Sequence, residues 1–76
     1  MSFESEREYY VRRIKRVDEI DGTDRAAACL SLANELREAA TRCDDLAERS
    51  AGEGHSTHAT WLRNHQQEVE SMGKVD

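Results

Sequence analysis

The stretch DRAAACLSLANELREAATRCDDLAERSA, residues 24–51, decides the fold. It is rich in alanine, leucine, glutamate and arginine, which all favour helix formation. Small and apolar residues recur in it at alternating spacings of three and four positions, which places them on one stripe of a single helix. Because most of these side chains are small, a partner helix can approach closely. This stripe, called the seam below, consists of Ala26, Cys29, Ala33, Leu36, Ala40, Cys43 and Ala47.

Two further segments flank this helix and show the same 3-4 periodicity of apolar residues. Gly22 and the pair Gly52 and Gly54 separate the three segments, and the chain contains no proline. The pattern predicts helices over residues 3–20, 24–51 and 56–72. Because the first connection is short, we expect the first two helices to form an antiparallel hairpin across which the third helix folds. The sequence therefore predicts one all-α domain, residues 1–76, built as a small helical bundle.

The length and composition of the chain indicate a thin core. The chain has 76 residues, and only 37% of them are hydrophobic. Many of these are alanines, which bury little area. Small domains with weak cores usually need a disulfide, a metal or a partner chain. We therefore expect a homodimer that packs through the seam.

Charge and hydropathy restrict the location and the kind of partner. The formal net charge is −5, and the mean hydropathy is −0.89. No apolar stretch is long enough to cross a bilayer, and the first residues are charged, so we expect a cytoplasmic protein with reduced thiols. An acidic chain is poorly suited to direct nucleic-acid binding, because phosphate contacts need basic surface. The expected partner is a protein with a basic surface.

The chain carries no motif that predicts an enzyme, a cofactor site or a metal site. Cys29, Cys43, His55 and His58 have side chains that zinc prefers, but the two cysteines lie several turns apart on one helix and no C-x-x-C pair exists. No serine lies in a nucleophile elbow, and no glycine-rich phosphate loop is present. We therefore expect neither catalytic residues nor a bound metal or cofactor.

Acidic residues and the single tryptophan are the candidate binding residues. In the predicted hairpin the first turn of helix one lies opposite the end of helix two, which brings carboxylates together. Tryptophan is frequent at interface hot spots. The run Arg12, Arg13, Lys15, Arg16 flanks the first apolar stripe, where it can pair with acids of helix two or bind an acidic partner. The predicted partner-binding residues are Glu4, Glu8, Asp44, Asp45, Glu48 and Trp61.

These observations favour a non-enzymatic function. The first hypothesis is a small helical protein–protein interaction module that regulates or inhibits a larger protein assembly. The alternative is an acidic nucleic-acid mimic that inhibits a DNA- or RNA-binding protein, as phage anti-CRISPR and anti-restriction proteins do. Mimicry predicts binding that weakens steeply with salt, whereas apolar docking does not.

Overall fold

Three α-helices make up the part of the chain that the structure, a computed structural model, describes, which is residues 3–50 and 54–73. They are α1 (Phe3–Asp18), α2 (Thr23–Ser50) and α3 (His55–Gly73). The described residues include no strand, which confirms the predicted all-α class. None of these three helices contains an apolar run long enough to cross a membrane.

The observed helix ends lie within two residues of the predicted ones. Helix α1 ends at Asp18, two residues early, because the next two amides bond to carbonyls only three residues back and the chain then turns at Gly22. Gly22 has a φ of +80°, which favours glycine. Helices α2 and α3 each begin one residue before the predicted position. The predicted end of α2 at Ala51 lies outside the described residues.

The most closely packed pair of helices is α2 and α3, which form an antiparallel hairpin, whereas α1 packs loosely against both. The tightest hairpin is therefore α2–α3, and the predicted pairing of α1 with α2 is present only as a loose contact. The physical reason is side-chain size at the contacts. A Cβ atom added to Gly73 would lie 2.9 Å from the Cβ of Cys29, so the two helices approach there only because glycine has no side chain. Helix α1 instead packs through Tyr10 and Val17, which are buried, and its backbone makes fewer close approaches to the other two helices.

The seam lies largely in the core of the single chain. Five of its seven residues are buried, whereas Ala47 is half-buried and Ala26 is exposed. The buried face of α2 is wider than the seam, because α2 contacts both other helices. This wider face adds Leu32 and Ala39, which the seam pattern left out. The core residues outside α2 are Tyr10, Val17, Ala59, Leu62 and Val69.

One arginine joins the ends of all three helices. The Arg25 guanidinium of α2 donates to the backbone carbonyl and to the Oδ1 of Asp18, both at 2.9 Å. Its Nε donates to the carbonyl of Met72 at 3.3 Å. The last carbonyls of a helix lack partners within the helix and carry partial negative charge. Arg25 therefore satisfies the C-terminal ends of α1 and α3 together.

Replacing Leu36 with alanine should destabilise the protein much more than the same replacement at Leu30. Both residues lie on α2, but Leu36 is fully buried and Leu30 is 64% exposed. Leu36→Ala should lower the free energy of unfolding by about 2–5 kcal/mol, because it leaves a cavity. Leu30→Ala should change it by less than about 0.5 kcal/mol. Urea unfolding followed by circular dichroism measures both, and equal losses would contradict this core.

Replacing Arg25 with glutamine should loosen the junction of the three helix ends. Glutamine is shorter than arginine and carries no charge, so it cannot donate to Asp18 and to Met72 at the same time. We therefore expect the free energy of unfolding to fall by about 1–2 kcal/mol. Arg37→Gln is the matched control, since Arg37 is an exposed arginine of the same helix. A loss no larger for Arg25→Gln than for the control would show that the junction contributes nothing to stability.

Candidate functional site

An open groove lies between α1 and α3. Its volume is about 730 Å³. One wall is the exposed face of α1, and the other is the indole of Trp61 on α3. The residues that line this groove are Glu4, Ser5, Arg7, Glu8, Val11, Arg12, Lys15 and Trp61.

The wall formed by α1 has an acidic end and a basic end. Glu4 and Glu8 lie in the N-terminal half of the helix, whereas Arg12 and Lys15 lie in the C-terminal half. Each pair lies three or four positions apart, so its side chains share a helix face. Acids near the first turn and bases near the last turn also suit the helix dipole, which helps this sequence to form α1. The groove therefore has negatively charged side chains toward the N-terminal end of α1 and positively charged ones toward its C-terminal end.

Trp61 is held in place on three sides although part of it remains exposed. Its ring stacks on His65 with a centroid distance of 3.9 Å and lies 6.0 Å from the ring of His58. The Arg7 guanidinium lies over it, 5.5 Å from the ring centroid. The His65 Nδ1–H donates to the Trp61 carbonyl at 2.9 Å, which fixes the His65 ring. Such a side chain loses little further freedom when a partner covers it.

The structure brings together three of the six predicted partner-binding residues. Glu4, Glu8 and Trp61 line the groove. The other three lie on α2 and do not line it. Asp44 is paired with Arg63 of α3, and this hydrogen bond lowers the pKa of Asp44 below its usual value. The five predicted carboxylates therefore do not all share one site.

The basic run is also divided. Arg12 and Lys15 line the groove. Arg13 forms an ion pair with Glu35 of α2 and donates to the Tyr9 hydroxyl at 3.2 Å. The pairing with helix two that the sequence predicted is thus present at Arg13. Only part of the run remains available to a partner.

Self-association through the seam stays a prediction. Cys29, Ala33, Leu36, Ala40 and Cys43 are buried within one chain. A second copy would reach them only if another helix of the same chain moved away. The groove, by contrast, is open in the single chain.

A second feature lies beside the groove, where the three helices converge. Glu6 of α1, Cys43 of α2 and His58 of α3 each place one possible ligand atom within 4.8 Å of the other two. We call these three residues the Glu6–Cys43–His58 cluster. His58 is fully buried, and Cys43 is 7% exposed.

Hydrogen bonds determine which nitrogen of the His58 ring carries the proton. Arg7 Nε donates to His58 Nδ1 at 3.2 Å. Because Nδ1 accepts this bond, the proton of the neutral ring is on Nε2, which donates to Glu6 Oε1 at 2.9 Å. Arg7 thus contacts both the cluster and, through its guanidinium, the groove.

The surroundings of Cys43 keep its thiol protonated. Burial raises the pKa of Cys43, and the Glu6 carboxylate raises it further. The thiolate is the nucleophilic form of cysteine, so Cys43 is a poor nucleophile despite the neighbouring histidine. A cavity of about 250 Å³ adjoins it, and His55 lines this cavity together with all three cluster residues. The Nδ1 of His55 is buried without a hydrogen-bond partner in the described part of the chain.

The sequence analysis considered Cys43 and His58 as zinc ligands and rejected them, and it did not name Glu6 as a possible ligand. It compared spacings along one helix, whereas the cluster takes one residue from each of three. One signal was present: Glu6 is four positions before Tyr10 on the stripe that α1 buries. A carboxylate at such a position requires a polar partner from another helix.

No family model, no curated protein and no solved structure matches this chain.

Proposed function

We propose that the protein is a non-enzymatic helical protein–protein interaction module that regulates or inhibits a larger protein assembly, and that the groove is its partner surface. The observation that carries this proposal is that Glu4, Glu8 and Trp61 line one open groove. An aromatic anchor surrounded by charged residues is a typical arrangement for a protein-binding surface. We further propose that the protein acts in the cytoplasm.

The charges of the groove specify the chemistry of the partner. A partner segment needs an apolar side chain to cover Trp61 and Val11. It needs basic side chains opposite Glu4 and Glu8, and an acidic side chain beside Arg12 or Lys15. The reduced nucleophilicity of Cys43 supports a binding function over a catalytic one.

The alternative of an acidic nucleic-acid mimic receives less support. A mimic needs carboxylates spaced along one surface with few competing cations. In the groove, Arg7, Arg12 and Lys15 lie among the acids, and Asp44 is already paired with Arg63. The two proposals still predict different salt dependences. A mixed-charge groove with an aromatic anchor should lose only a few-fold in affinity between low and moderate salt.

The partner can be identified by photo-crosslinking from the groove. A benzophenone amino acid at Val11, which is 40% exposed, would capture a protein seated there. The same group at exposed Thr41 of α2 serves as the control. A partner captured from position 11 and not from position 41 is then purified for binding measurements.

Neutralising Glu4 and Glu8 should weaken binding to that partner. Glu4→Gln with Glu8→Gln should reduce the affinity about tenfold, or about 1.4 kcal/mol, because the basic side chains of the partner lose their counter-charges. Asp45→Asn with Glu48→Gln removes the same charge from exposed positions outside the groove, and should leave the affinity nearly unchanged. Calorimetry measures both variants, with helicity checked by circular dichroism. If the Asp45 and Glu48 variant lost affinity and the Glu4 and Glu8 variant did not, the partner would bind the acidic side of α2 and not the groove.

Trp61 provides a direct optical readout of the same binding. It is the only tryptophan, and it is partly exposed. Its emission should shift to shorter wavelength when the partner covers it. An unchanged spectrum at saturation would show that the partner does not occupy the groove.

A further inference from the structure

We propose that Glu6, Cys43 and His58 form a zinc-binding site that joins the three helices. One carboxylate, one thiol and one imidazole converge there, with a ligand atom of each within 4.8 Å of the others. The proposal does not depend on the groove, since neither Glu6 nor Cys43 nor His58 lines it.

The combination of donor atoms indicates zinc rather than calcium or magnesium. Zinc binds cysteine sulfur, histidine nitrogen and carboxylate oxygen, whereas hard cations prefer oxygen ligands alone. In a tetrahedral zinc site, neighbouring donor atoms lie about 3.3–3.6 Å apart. His58 Nε2 and Glu6 Oε1 are 2.9 Å apart, so zinc would separate them by about 0.4 Å. Even the two ligand atoms that lie farthest apart need to approach each other by only about 1 Å.

A second observation comes from the cavity beside the cluster. His55 lines this cavity with all three cluster residues. Its Nδ1 is buried and has no hydrogen-bond partner among residues 3–50 and 54–73. His55 and His58 lie three positions apart on α3, so they share one helix face. A water molecule in this cavity, or His55 after its ring moves toward the other three ligand atoms, would supply the fourth ligand.

Binding releases one proton and rearranges another. Zinc displaces the thiol proton of Cys43, which passes to solvent. At His58 the metal takes the place of the proton on Nε2, and Nδ1 takes up a proton instead. Arg7 then gives up its hydrogen bond to Nδ1 and keeps its position over Trp61. Zn²⁺ with one thiolate and one carboxylate is neutral, which suits a buried site.

Cobalt absorption and zinc competition test the site directly. The reduced, full-length chain is titrated with Co²⁺, and zinc affinity is then measured against a chromophoric chelator. We expect one metal per chain, a thiolate-to-cobalt charge-transfer band, and a higher melting temperature when zinc is present. Native mass spectrometry checks that each chain carries one metal ion.

Paired substitutions distinguish the cluster from other sites. Cys43→Ala should abolish the charge-transfer band, and alanine suits the small-residue seam, so the fold should persist. Cys29→Ala, which removes the other buried cysteine, should leave the band and the zinc affinity unchanged. Glu6→Gln keeps a hydrogen-bonding side chain and should weaken zinc binding at least about tenfold. Glu38→Gln, at an exposed position of α2, should not weaken it.

Several results would overturn the proposal. These are the absence of stoichiometric binding, a band that survives Cys43→Ala, equal affinity in all variants, or a metal held between two chains. Loss of zinc binding in Cys29→Ala alone would also overturn it, because the ligand would then be Cys29 and not Cys43. Because the readouts are metal spectra and affinities, they are independent of the binding experiments on the groove.

Discussion

The close approach of α2 and α3 is the constraint on which the rest of the structure depends. At the contact of Cys29 with Gly73 there is no room for another carbon atom. Small residues along the seam allow α2 and α3 to approach closely at other points as well. Leu36 and Leu62 fill the space that remains between them. Dispersion and the removal of apolar surface from water both favour such tight packing. The α2–α3 hairpin is therefore the platform on which α1 is placed.

Helix α1 is attached to this platform by a few large side chains and by ion pairs. Phe3 stacks on His58 at 4.5 Å and lies against Gly54, where an added Cβ would be 3.2 Å from the Phe3 ring. Tyr10 and Val17 enter the core, and Arg13 pairs with Glu35. A loosely packed element opens at a lower free energy than the core of the same protein. Since α1 supplies one wall of the groove as well as Glu6, both candidate sites exist only while α1 is docked.

The groove and the cluster share Arg7. Its Nε bonds His58, and its guanidinium lies over the Trp61 ring that a partner would cover. Arg7 is therefore in contact with both candidate sites.

The sequence by itself determined the local structure. The periodicity of alanine and leucine, and the glycines between segments, located the helix ends that the structure describes to within two residues, because helix formation depends on neighbours three and four positions apart. The seam also showed where close packing would occur. Only the tertiary structure decided that α3 covers the seam, that Glu8 and Trp61 line one groove, and that Glu6 meets Cys43 and His58. Those contacts join residues far apart in the chain, and they depend on how closely each pair of helices can pack, which no spacing along one helix specifies.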